Sequence, residues 1–522
     1  MMIETHGIEK ILREGYAAGE QDYHLKPLVR WSGERPSGRI KDGDCVIFCC
    51  RRGDREVQIT EAFSEKGFKG FERKDFESLD FIPMTLYQEK FSHLNVLFPV
   101  IRPEDSLGKV ISDAGLKQLR VAESEKFAHV TFFFNGRRVE AFENEERLFI
   151  ESPPSSALLD NPGTSTAQVA DAVVKGICSG DYDFILTNLA SGDMVGHLEN
   201  YEAKVDCASS VDKSLGRIVE AAREHGYSVV ITADHGLLET GFTPDGKPNV
   251  SHTTALVPFA IISDEDVERA DDGSCGTLSD IAPTVLSLIG LEIPKEMNGR
   301  ARVTNKGAGK RVVLVVVDGW GIGNDDPAFN PVAAAKIPNL EKAMNEGISF
   351  EIEASGVAVG LPKGRYGNSE VGHLAIGSGR MIPSDELRIS KAISDGSLAV
   401  NRDLTVPLER LKSRNGALHL IMILSERSSH GNIKECMAIA DAAGKNGVKQ
   451  AFLHIILDGR STPPQGAADL IPILERDGAE AAADLELVTV IGREYGLDRG
   501  GNYEKKTRVA FEALVYGSGK KY

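Results

Sequence analysis

The chain has 522 residues, a length that predicts two domains rather than one hydrophobic core. With 41% hydrophobic and 26% charged residues it has the composition of an ordinary globular protein, and its net charge of −17 argues against a general nucleic-acid-binding protein. No apolar run approaches the roughly 20 residues that cross a bilayer, and the polar start lacks a signal-peptide pattern. Seven cysteines without paired spacing are typical of a reducing compartment. We therefore predict a cytoplasmic protein that binds neither nucleic acid nor a membrane.

The first hundred residues contain a predicted helix, a buried strand and a basic segment. Apolar residues from Ile8 to Tyr16 follow helical periodicity, and residues 45–50 form an apolar run typical of a buried strand. Arg52 and Arg55 follow that strand directly. They are either part of a solvated rim or a fork for a carboxylate or phosphate, which guanidinium geometry suits.

The middle of the chain alternates helical and strand patterns. After a proline-bearing linker at 92–105, residues 128–134 are predicted as an apolar strand. Helices are predicted at 205–225 and 278–289, the second with a kink at Pro283. Strands alternating with helices indicate a parallel sheet covered on both faces, and such sheets bind ligands at the carboxyl ends of their strands.

The last part of the chain starts with an expected exposed connection at 301–310 and a new strand at 312–317. Residues 356–360 read as extended, and a second linker is predicted around Pro383. Another α/β series then runs to the end. The linkers near 100 and 383 bracket a middle segment, so the two chain ends are predicted to make one domain together.

Aspartate and histidine residues recur at the ends of the predicted strands. They are Asp318 after 312–317, Asp193 and His197 after 184–189, Asp234 and His235 after 228–233, and His252 beyond a loop. Taken alone, Asp193 is as easily a helix cap and His197 a surface residue. Their recurrence at the strand ends of one sheet favours a transition-metal site, because imidazole and carboxylate ligands suit Mn, Fe, Co or Zn.

Ser369 lies in a glycine-bearing segment, on a predicted turn that can project its hydroxyl into a cleft. Most such serines are only solvated turn residues. Beside two metal ions, however, the hydroxyl would be acidified and a phosphoryl group in transfer would be neutralised. This predicts phosphoryl transfer through a phosphoserine, with a cationic grip on the rest of the substrate. Arginines that can supply the grip are Arg52, Arg55, Arg460, Arg493 and Arg499.

Five segments together resemble the cofactor-independent phosphoglycerate mutase family of the alkaline phosphatase superfamily. They are residues 192–197, 232–236, 251–254, 317–321 and 367–373. The resemblance covers nearly the whole chain, but in rotated order. The segment that matches the family's carboxyl end runs through 301–310 into the one that matches its beginning, which indicates a circular permutation.

The resemblance implies an α/β protein with two domains and a monomeric state. Residues 102–382 would form a metal-binding domain, an alkaline-phosphatase-like α/β sandwich with a mainly parallel sheet. Residues 1–101 and 383–522 would together form a second α/β domain, the substrate-binding transferase domain. Because of the rotated order, Met1 and Tyr522 are expected close together on that second domain.

The resemblance also implies two divalent metal ions, usually Mn²⁺ with Co²⁺, Zn²⁺ and Mg²⁺ as alternatives, and no 2,3-bisphosphoglycerate. One ion would be held by Asp193, His197 and His252, and the other by Asp318, Ser369, Asp234 and His235. The implied substrate contacts are His430, Arg460, Ser461, Arg493, Arg499, Arg52, Arg55 and Lys126. In the implied glycolytic and gluconeogenic reaction, 3-phosphoglycerate gives its phosphoryl group to Ser369 and takes it back on the 2-hydroxyl.

The sequence departs from the family pattern at Ser461, where the family has an aspartate, and in the loop before His430. Serine is a poor base near neutral pH. These departures keep open a second hypothesis, a metal-dependent phosphatase or phosphotransferase that acts on a different phosphorylated small molecule. A non-catalytic binding protein is a third, which the complete set of metal-ligand residue types disfavours.

Overall fold

The computed structural model describes residue 5 and residues 7–263, 266–270 and 274–522. The chain forms two compact units. One, the split unit, combines the residues up to Val100 with Asp385–Tyr522. The other, the middle unit, is Ile101–Ser384. The sequence places the corresponding boundaries after residues 101 and 382. Met1, whose position beside Tyr522 is predicted, lies outside the described residues.

Strands and helices alternate along most of the chain. In chain order, the strands are β1 Leu28–Val29, β2 Trp31–Ser32, β3 Arg35–Pro36, β4 Cys45–Phe48, β5 Asp80–Pro83, β6 Gln118–Glu123, β7 Glu145–Ile150, β8 Phe184–Leu189, β9 Tyr227–Thr232, β10 Val257–Ile262, β11 Val267–Arg269, β12 Gly276–Thr277, β13 Val303–Asn305, β14 Arg311–Val317, β15 Ile348–Glu353, β16 Leu418–Leu424, β17 Gln450–Leu457, β18 Asp484–Gly492 and β19 Lys520–Lys521. The α-helices are α1 Ile8–Ala17, α2 Val57–Ser64, α3 Leu107–Asp113, α4 Thr166–Ser179, α5 Ser191–Gly196, α6 Tyr201–Glu224, α7 Ile281–Ile289, α8 Pro331–Ala334, α9 Pro338–Glu346, α10 Ser369–Ser378, α11 Asp385–Ser394, α12 Arg402–Arg414, α13 Ile433–Lys445, α14 Ala467–Gly478, α15 Arg493–Gly496 and α16 Arg508–Tyr516. No helix in this described part of the chain is long and apolar enough to span a membrane.

The middle unit is built on a sheet with the strand order β12-β15-β10-β9-β14-β8-β6-β7. From β9 to β7 the neighbouring strands are parallel. Strand β14 lies at the centre, and its valine-rich sequence is buried from Val312 onward. A continuous apolar run is what a parallel strand covered on both faces requires. The predicted α/β fold with a mainly parallel sheet is confirmed.

The split unit has its own sheet, in the order β19-β1-β18-β17-β16-β4-β5. Strands β18 to β5 are parallel, whereas β1 pairs antiparallel with β18. Strand β4 from the first part of the chain pairs with β16 from the last part, with Cys45 opposite Leu418. The two ends of the chain therefore share one sheet and its core.

Three local predictions were wrong. Residues 128–134 contain a π-helix, His129–Phe133, and residues 356–360 a 3-10 helix, Gly356–Val359. Short apolar runs do not by themselves distinguish a strand from a helix. Pro283 lies in the first turn of α7, where a missing N–H costs no hydrogen bond, and the kink predicted there stays a prediction. The segment 301–310 is no simple exposed connection, because β13 pairs with β11 inside it.

Candidate metal centre and nucleophile

Three neighbouring parallel strands of the middle unit, β8, β14 and β9, end at the same edge of the sheet. Asp318 directly follows β14, Asp193 lies in α5 just after β8, and Asp234 and His235 follow β9. All four residues are buried or nearly so. The topology thus brings together the side chains that the sequence analysis selected at strand ends.

The first cluster contains Asp193, His197 and His252. The Nε2 atoms of the two histidines lie 3.3 and 3.1 Å from Asp193 Oδ1, and 3.3 Å from each other. Each Nδ1 contacts a backbone carbonyl, that of Val250 at 2.9 Å and that of Gly367 at 2.8 Å, so Nδ1 carries the proton. In the neutral rings both Nε2 lone pairs then face one point beside a carboxylate, an arrangement that a cation stabilises.

The second cluster contains Asp318, Asp234, His235 and Ser369. His235 Nε2 lies 3.4 Å from Asp318 Oδ1, 3.7 Å from Asp234 Oδ2 and 3.1 Å from Ser369 Oγ. Buried polar atoms normally accept hydrogen bonds, yet Asp234 Oδ2 and, in the first cluster, Asp193 Oδ1 accept none of normal geometry and instead face histidine nitrogens at 3.1 to 3.7 Å. These residues therefore fit two divalent metal ions, with oxygen and imidazole nitrogen donors of the kind that Mn²⁺, Co²⁺ and Zn²⁺ accept.

Opposite charges within the two clusters attract each other and offset the free-energy cost of burying them. Burial would raise the pKa of Asp234, but His235 and His373 hold it well below its usual range. Burial would likewise lower the pKa of His235, but Asp234, Asp318 and Asp193 raise it to about 9. Both groups are therefore charged at neutral pH when no metal ion is bound.

Lys126 connects the two clusters to the nucleophile. Its Nζ donates to Asp193 Oδ2 at 2.6 Å, Asp318 Oδ1 at 3.0 Å and Ser369 Oγ at 2.7 Å, and the residue is 5% exposed. Burial alone would lower the pKa of Lys126, but these carboxylates raise it above its ordinary value. The sequence analysis grouped Lys126 with the substrate contacts. In the structure it belongs to the middle unit and directly contacts metal-cluster carboxylates and Ser369.

Ser369 is the first residue of helix α10 rather than part of a simple turn. Asn368 caps this helix, since its side-chain oxygen accepts from Val371 N at 3.1 Å. The flanking glycines allow the close packing that places the serine: a Cβ at Gly372 would lie 2.6 Å from the carbonyl oxygen of Asp234, and one at Gly367 only 2.1 Å from that of Ala354. The Ser369 hydroxyl is thereby held at a helix N-terminus, which favours a phosphoryl group.

The sequence analysis missed two residues that orient this site, His373 and Asn188. His373 Nδ1 lies 2.9 Å from the Ser369 carbonyl oxygen, and its Nε2 lies 3.1 Å from Asn188 Nδ2. Asn188 Nδ2 also donates to Asp318 Oδ2 at 2.6 Å. With both ring nitrogens engaged, His373 positions the site rather than binding metal. The signal was present, because His373 follows Ser369 by four residues and so lies on the same face of a helix.

The predicted substrate contacts of the split unit fall into two groups at the carboxyl ends of its parallel strands. The first surrounds Asp54: Arg52 Nε and Arg499 Nη1 lie 2.8 and 3.1 Å from its carboxylate, and His430 Nε2 lies 4.0 Å away. Arg55 is buried beside them and donates to the Leu497 carbonyl oxygen.

The second group surrounds Asp458, at the end of β17. Buried Arg493 pairs with its carboxylate, and the Ser461 backbone N–H donates to it at 3.1 Å. Arg460 and Ser461 are exposed. The guanidiniums of Arg52, Arg460 and Arg499 are thus exposed, although Arg52 and Arg499 pair with Asp54. Those of Arg55 and Arg493 are buried.

Two family models and several curated proteins are similar to parts of this chain. A model of the Metalloenzyme superfamily matches residues 57–293, and a model of the BPG-independent PGAM N-terminus matches residues 2–89 and 389–522. The 2,3-bisphosphoglycerate-independent phosphoglycerate mutase of Salinibacter ruber is 43% identical over 297 residues, 56% of each chain. The enzyme of the same name from Nitrosococcus oceani is 40% identical over 299 residues, 56% of this chain and 57% of that one.

The chain is similar in sequence to the 2,3-bisphosphoglycerate-independent phosphoglycerate mutases of these organisms. It spans little more than half the length of the curated mutases that it matches. Among solved structures, Leishmania mexicana phosphoglycerate mutase at low cobalt concentration is similar over 53% of each chain, with 26% identity and a TM-score of 0.41.

Proposed function

We propose that this chain is itself such a mutase and interconverts 3-phosphoglycerate and 2-phosphoglycerate through a phosphoserine at Ser369. One observation carries the proposal: Ser369 Oγ lies within 3.2 Å of Lys126 Nζ, His235 Nε2 and Asp318 Oδ1, at a capped helix N-terminus. A serine so placed is an activated nucleophile with cationic and N–H donors for an incoming phosphoryl group.

Two metal ions complete the proposed site. Asp193, His197 and His252 would hold one, and Asp318, Asp234, His235 and Ser369 the other, with Mn²⁺ as the proposed ion. When bound, the ions supply Lewis-acid neutralisation of the phosphoryl oxygens and keep the serine hydroxyl deprotonated. The unpartnered oxygens of Asp193 and Asp234 and the converging histidine Nε2 atoms support this assignment.

The chain's own residues orient and neutralise the reacting groups. Lys126 Nζ, held by two carboxylates, keeps a positive charge 2.7 Å from Ser369 Oγ and so favours the serine alkoxide. His373 fixes the first turn of α10 through the Ser369 carbonyl, while Asn188 holds both His373 and Asp318. Preorganised charge of this kind stabilises the transferring phosphoryl group without reorganisation during the reaction.

The split unit supplies the cationic residues that we assign to the glycerate part of the substrate. They are His430, Arg460, Arg493, Arg499, Arg52 and Arg55, with Ser461 beside them. Guanidinium groups bind carboxylates in a bidentate way that fixes orientation, which the transfer from one hydroxyl to the other demands. The glycerate must stay bound between the two transfers, because its loss would leave the phosphoserine to water.

The rotated segment order, a role in glycolysis and gluconeogenesis, a cytoplasmic location and a monomeric state complete the proposal. Two findings support the circular permutation: the BPG-independent PGAM N-terminus model matches two segments far apart in the chain, and both segments contribute strands to the split unit's sheet. Independence from 2,3-bisphosphoglycerate is proposed from the relatives' name.

The test is turnover of 3-phosphoglycerate with Mn²⁺ and no added 2,3-bisphosphoglycerate, with 2-phosphoglycerate and free phosphate measured separately. Formation of 2-phosphoglycerate that is lost in Ser369→Ala supports the mutase. Release of phosphate alone supports the second candidate, a metal-dependent phosphatase. The exposed Ser461, which has no carboxylate for the acceptor step, is the observation that favours this candidate.

A further inference from the structure

The split unit contains a buried pair of ionisable side chains, Glu56 and His430, whose mutual contact has no role in the reaction proposed above. Glu56 occupies the N-cap position of α2, beyond the carboxyl end of β4, and His430 lies beyond the neighbouring strand β16. Glu56 Oε1 lies 2.6 Å from His430 Nδ1. Glu56 has no exposed surface and His430 is 2% exposed. Two ionisable side chains withdrawn from water and aligned on each other need an explanation.

The hydrogen bonds fix the histidine ring. Glu56 Oε2 accepts the Arg55 backbone N–H at 3.0 Å, so the carboxylate is held from one side by the backbone and from the other by the imidazole. His430 therefore carries its Nδ1 proton toward Glu56 and points Nε2 away from it. The nearest acidic atom to Nε2 is Asp54 Oδ1, at 4.0 Å, beyond hydrogen-bond distance. Nε2 therefore lies on the side of the ring toward Asp54, the carboxylate with which Arg52 and Arg499 pair.

The other residues of the proposed substrate set do not exchange protons near neutral pH. Arginine side chains stay protonated and a serine hydroxyl stays neutral. The Asp458 carboxylate forms an ion pair with the buried Arg493 guanidinium. His430 is the member of the set whose side chain ordinarily changes charge near neutral pH.

We propose that Glu56 is a positioning residue that makes His430 the proton carrier between the two hydroxyl oxygens of the bound glycerate. This inference rests on the proposed mutase function and names the residue pair that replaces the missing carboxylate at Ser461. A carboxylate behind an imidazole fixes the ring's tautomer and stabilises its protonated form, so that the far nitrogen can give and take a proton.

The proton balance is complete within one turnover. As Ser369 Oγ attacks as the alkoxide, the bond from phosphorus to the 3-oxygen breaks and its electron pair stays on that oxygen, which takes the Nε2 proton of His430. The glycerate turns. Neutral His430 then takes the proton of the 2-hydroxyl, whose oxygen attacks phosphorus while Ser369 Oγ leaves with the electron pair. Protonated His430 and the Ser369 alkoxide are restored.

The charged and titratable groups around the couple are held neutral or paired. Burial raises the pKa of Glu56, and the hydrogen bond from His430 opposes that rise. Burial also raises the pKa values of Cys50 and Tyr87 beside Glu56, so both stay neutral. The remaining charged neighbours are paired: Asp54 with Arg52 and Arg499, and Arg51 with Glu435.

The experiment measures kcat and KM for 3-phosphoglycerate against pH in four forms of the full chain with metal bound: the unmodified protein, Glu56→Gln, His430→Gln and Glu61→Gln. Glu61 is the matched control, a buried glutamate of the same helix whose partners are Lys90 and Tyr503. We expect Glu56→Gln to lower kcat about tenfold and to move one limb of the kcat profile to lower pH, with little change in KM, because the carboxylate no longer stabilises the protonated imidazole. His430→Gln should abolish that limb, and Glu61→Gln should leave it in place.

Two results would overturn the inference: a Glu56→Gln profile with the same limbs as the unmodified protein, or a uniform loss at every pH that Glu61→Gln shares. An unmodified protein that makes no 2-phosphoglycerate would instead overturn the proposed function. Should Glu56→Gln fail to fold, histidine-selective ¹⁵N NMR of the unmodified full chain decides, with the His430 signals assigned by their loss in His430→Gln. We expect that ring to change charge within the active pH range. A ring that keeps one charge state throughout that range contradicts the inference.

Discussion

The two units present their polar sites in opposite ways. In the middle unit, carboxylates, histidines and Lys126 converge within a few ångströms on Ser369, and most are buried. In the split unit, arginines spread around Asp54 and Asp458, several of them exposed. A phosphoryl group in transfer carries concentrated charge, whereas a glycerate has to be held while it turns. In the proposed reaction, the phosphoryl chemistry would therefore depend on a rigid, closely spaced set of residues, and the choice of acceptor on a looser one.

The largest expected effect is on the nucleophile. Ser369→Ala should reduce formation of 2-phosphoglycerate by about 10⁴-fold or more, because no covalent intermediate can form. The measurement is a steady-state assay with overnight incubation, so that a very low residual activity can be detected. Ser378→Ala is the control: this buried serine of the same helix donates to the Leu374 carbonyl oxygen, outside the site. Retained activity in Ser369→Ala would place the chemistry elsewhere.

Loss of a metal ligand should come next. His197→Ala removes one of the two facing Nε2 atoms and should lose at least one bound ion per chain, read by elemental analysis after gel filtration. His225→Ala, whose ring Nδ1 contacts the helical carbonyl of Ala221, should keep both ions. Two ions still bound to His197→Ala would contradict the assignment of the first cluster.

Removal of the buried lysine should destabilise the metal-free protein more than the metal-bound protein. Lys126→Met leaves the carboxylates of Asp193 and Asp318 without their cation, so the metal-free variant should lose about 3 kcal/mol of unfolding free energy. Added Mn²⁺ should restore most of this loss, since the ions replace the missing charge. Denaturant unfolding with and without Mn²⁺ measures both values. Equal loss in the two conditions would contradict a shared electrostatic role.

The smallest expected effect concerns the acceptor step in the split unit. Ser461→Asp restores a carboxylate in the turn after β17 and should raise the ratio of 2-phosphoglycerate to free phosphate by a few-fold, roughly 1 kcal/mol. Thr462→Asp, in the same turn, is the matched control. A ratio that falls or stays constant would show that the acceptor step no longer depends on this position.

The proposed metal ligands could be predicted from the sequence because of the sheet topology. Parallel strands end at one edge, so Asp193, Asp234 and Asp318 had to meet once the strands were recognised. His373 was not predicted, because the segment after Gly367 was interpreted as a turn. The four-residue spacing between Ser369 and His373 indicates a shared face only in a helix. The contact of Lys126 with Ser369 depends on a 3-10 turn after β6, which no periodicity predicts.

The Glu56–His430 couple was beyond sequence reasoning for a different reason. The two residues are 374 positions apart and meet only because β4 and β16 pair as neighbours. Local patterns predict elements, but the pairing of strands from opposite chain ends comes from the packing of a shared core. The predictions for the short apolar runs at 128–134 and 356–360 were wrong for a local reason, because such short patterns do not distinguish a strand from a helix.

The most direct measurement is to trap the intermediate. The metal-loaded full chain is mixed with 3-phosphoglycerate, quenched in acid within milliseconds, digested and analysed by mass spectrometry. The account predicts a phosphoryl group on Ser369 in the unmodified protein, formed and consumed at rates that match the appearance of 2-phosphoglycerate. A phosphoryl group on another side chain, or steady formation of 2-phosphoglycerate with Ser369 never phosphorylated, would contradict it.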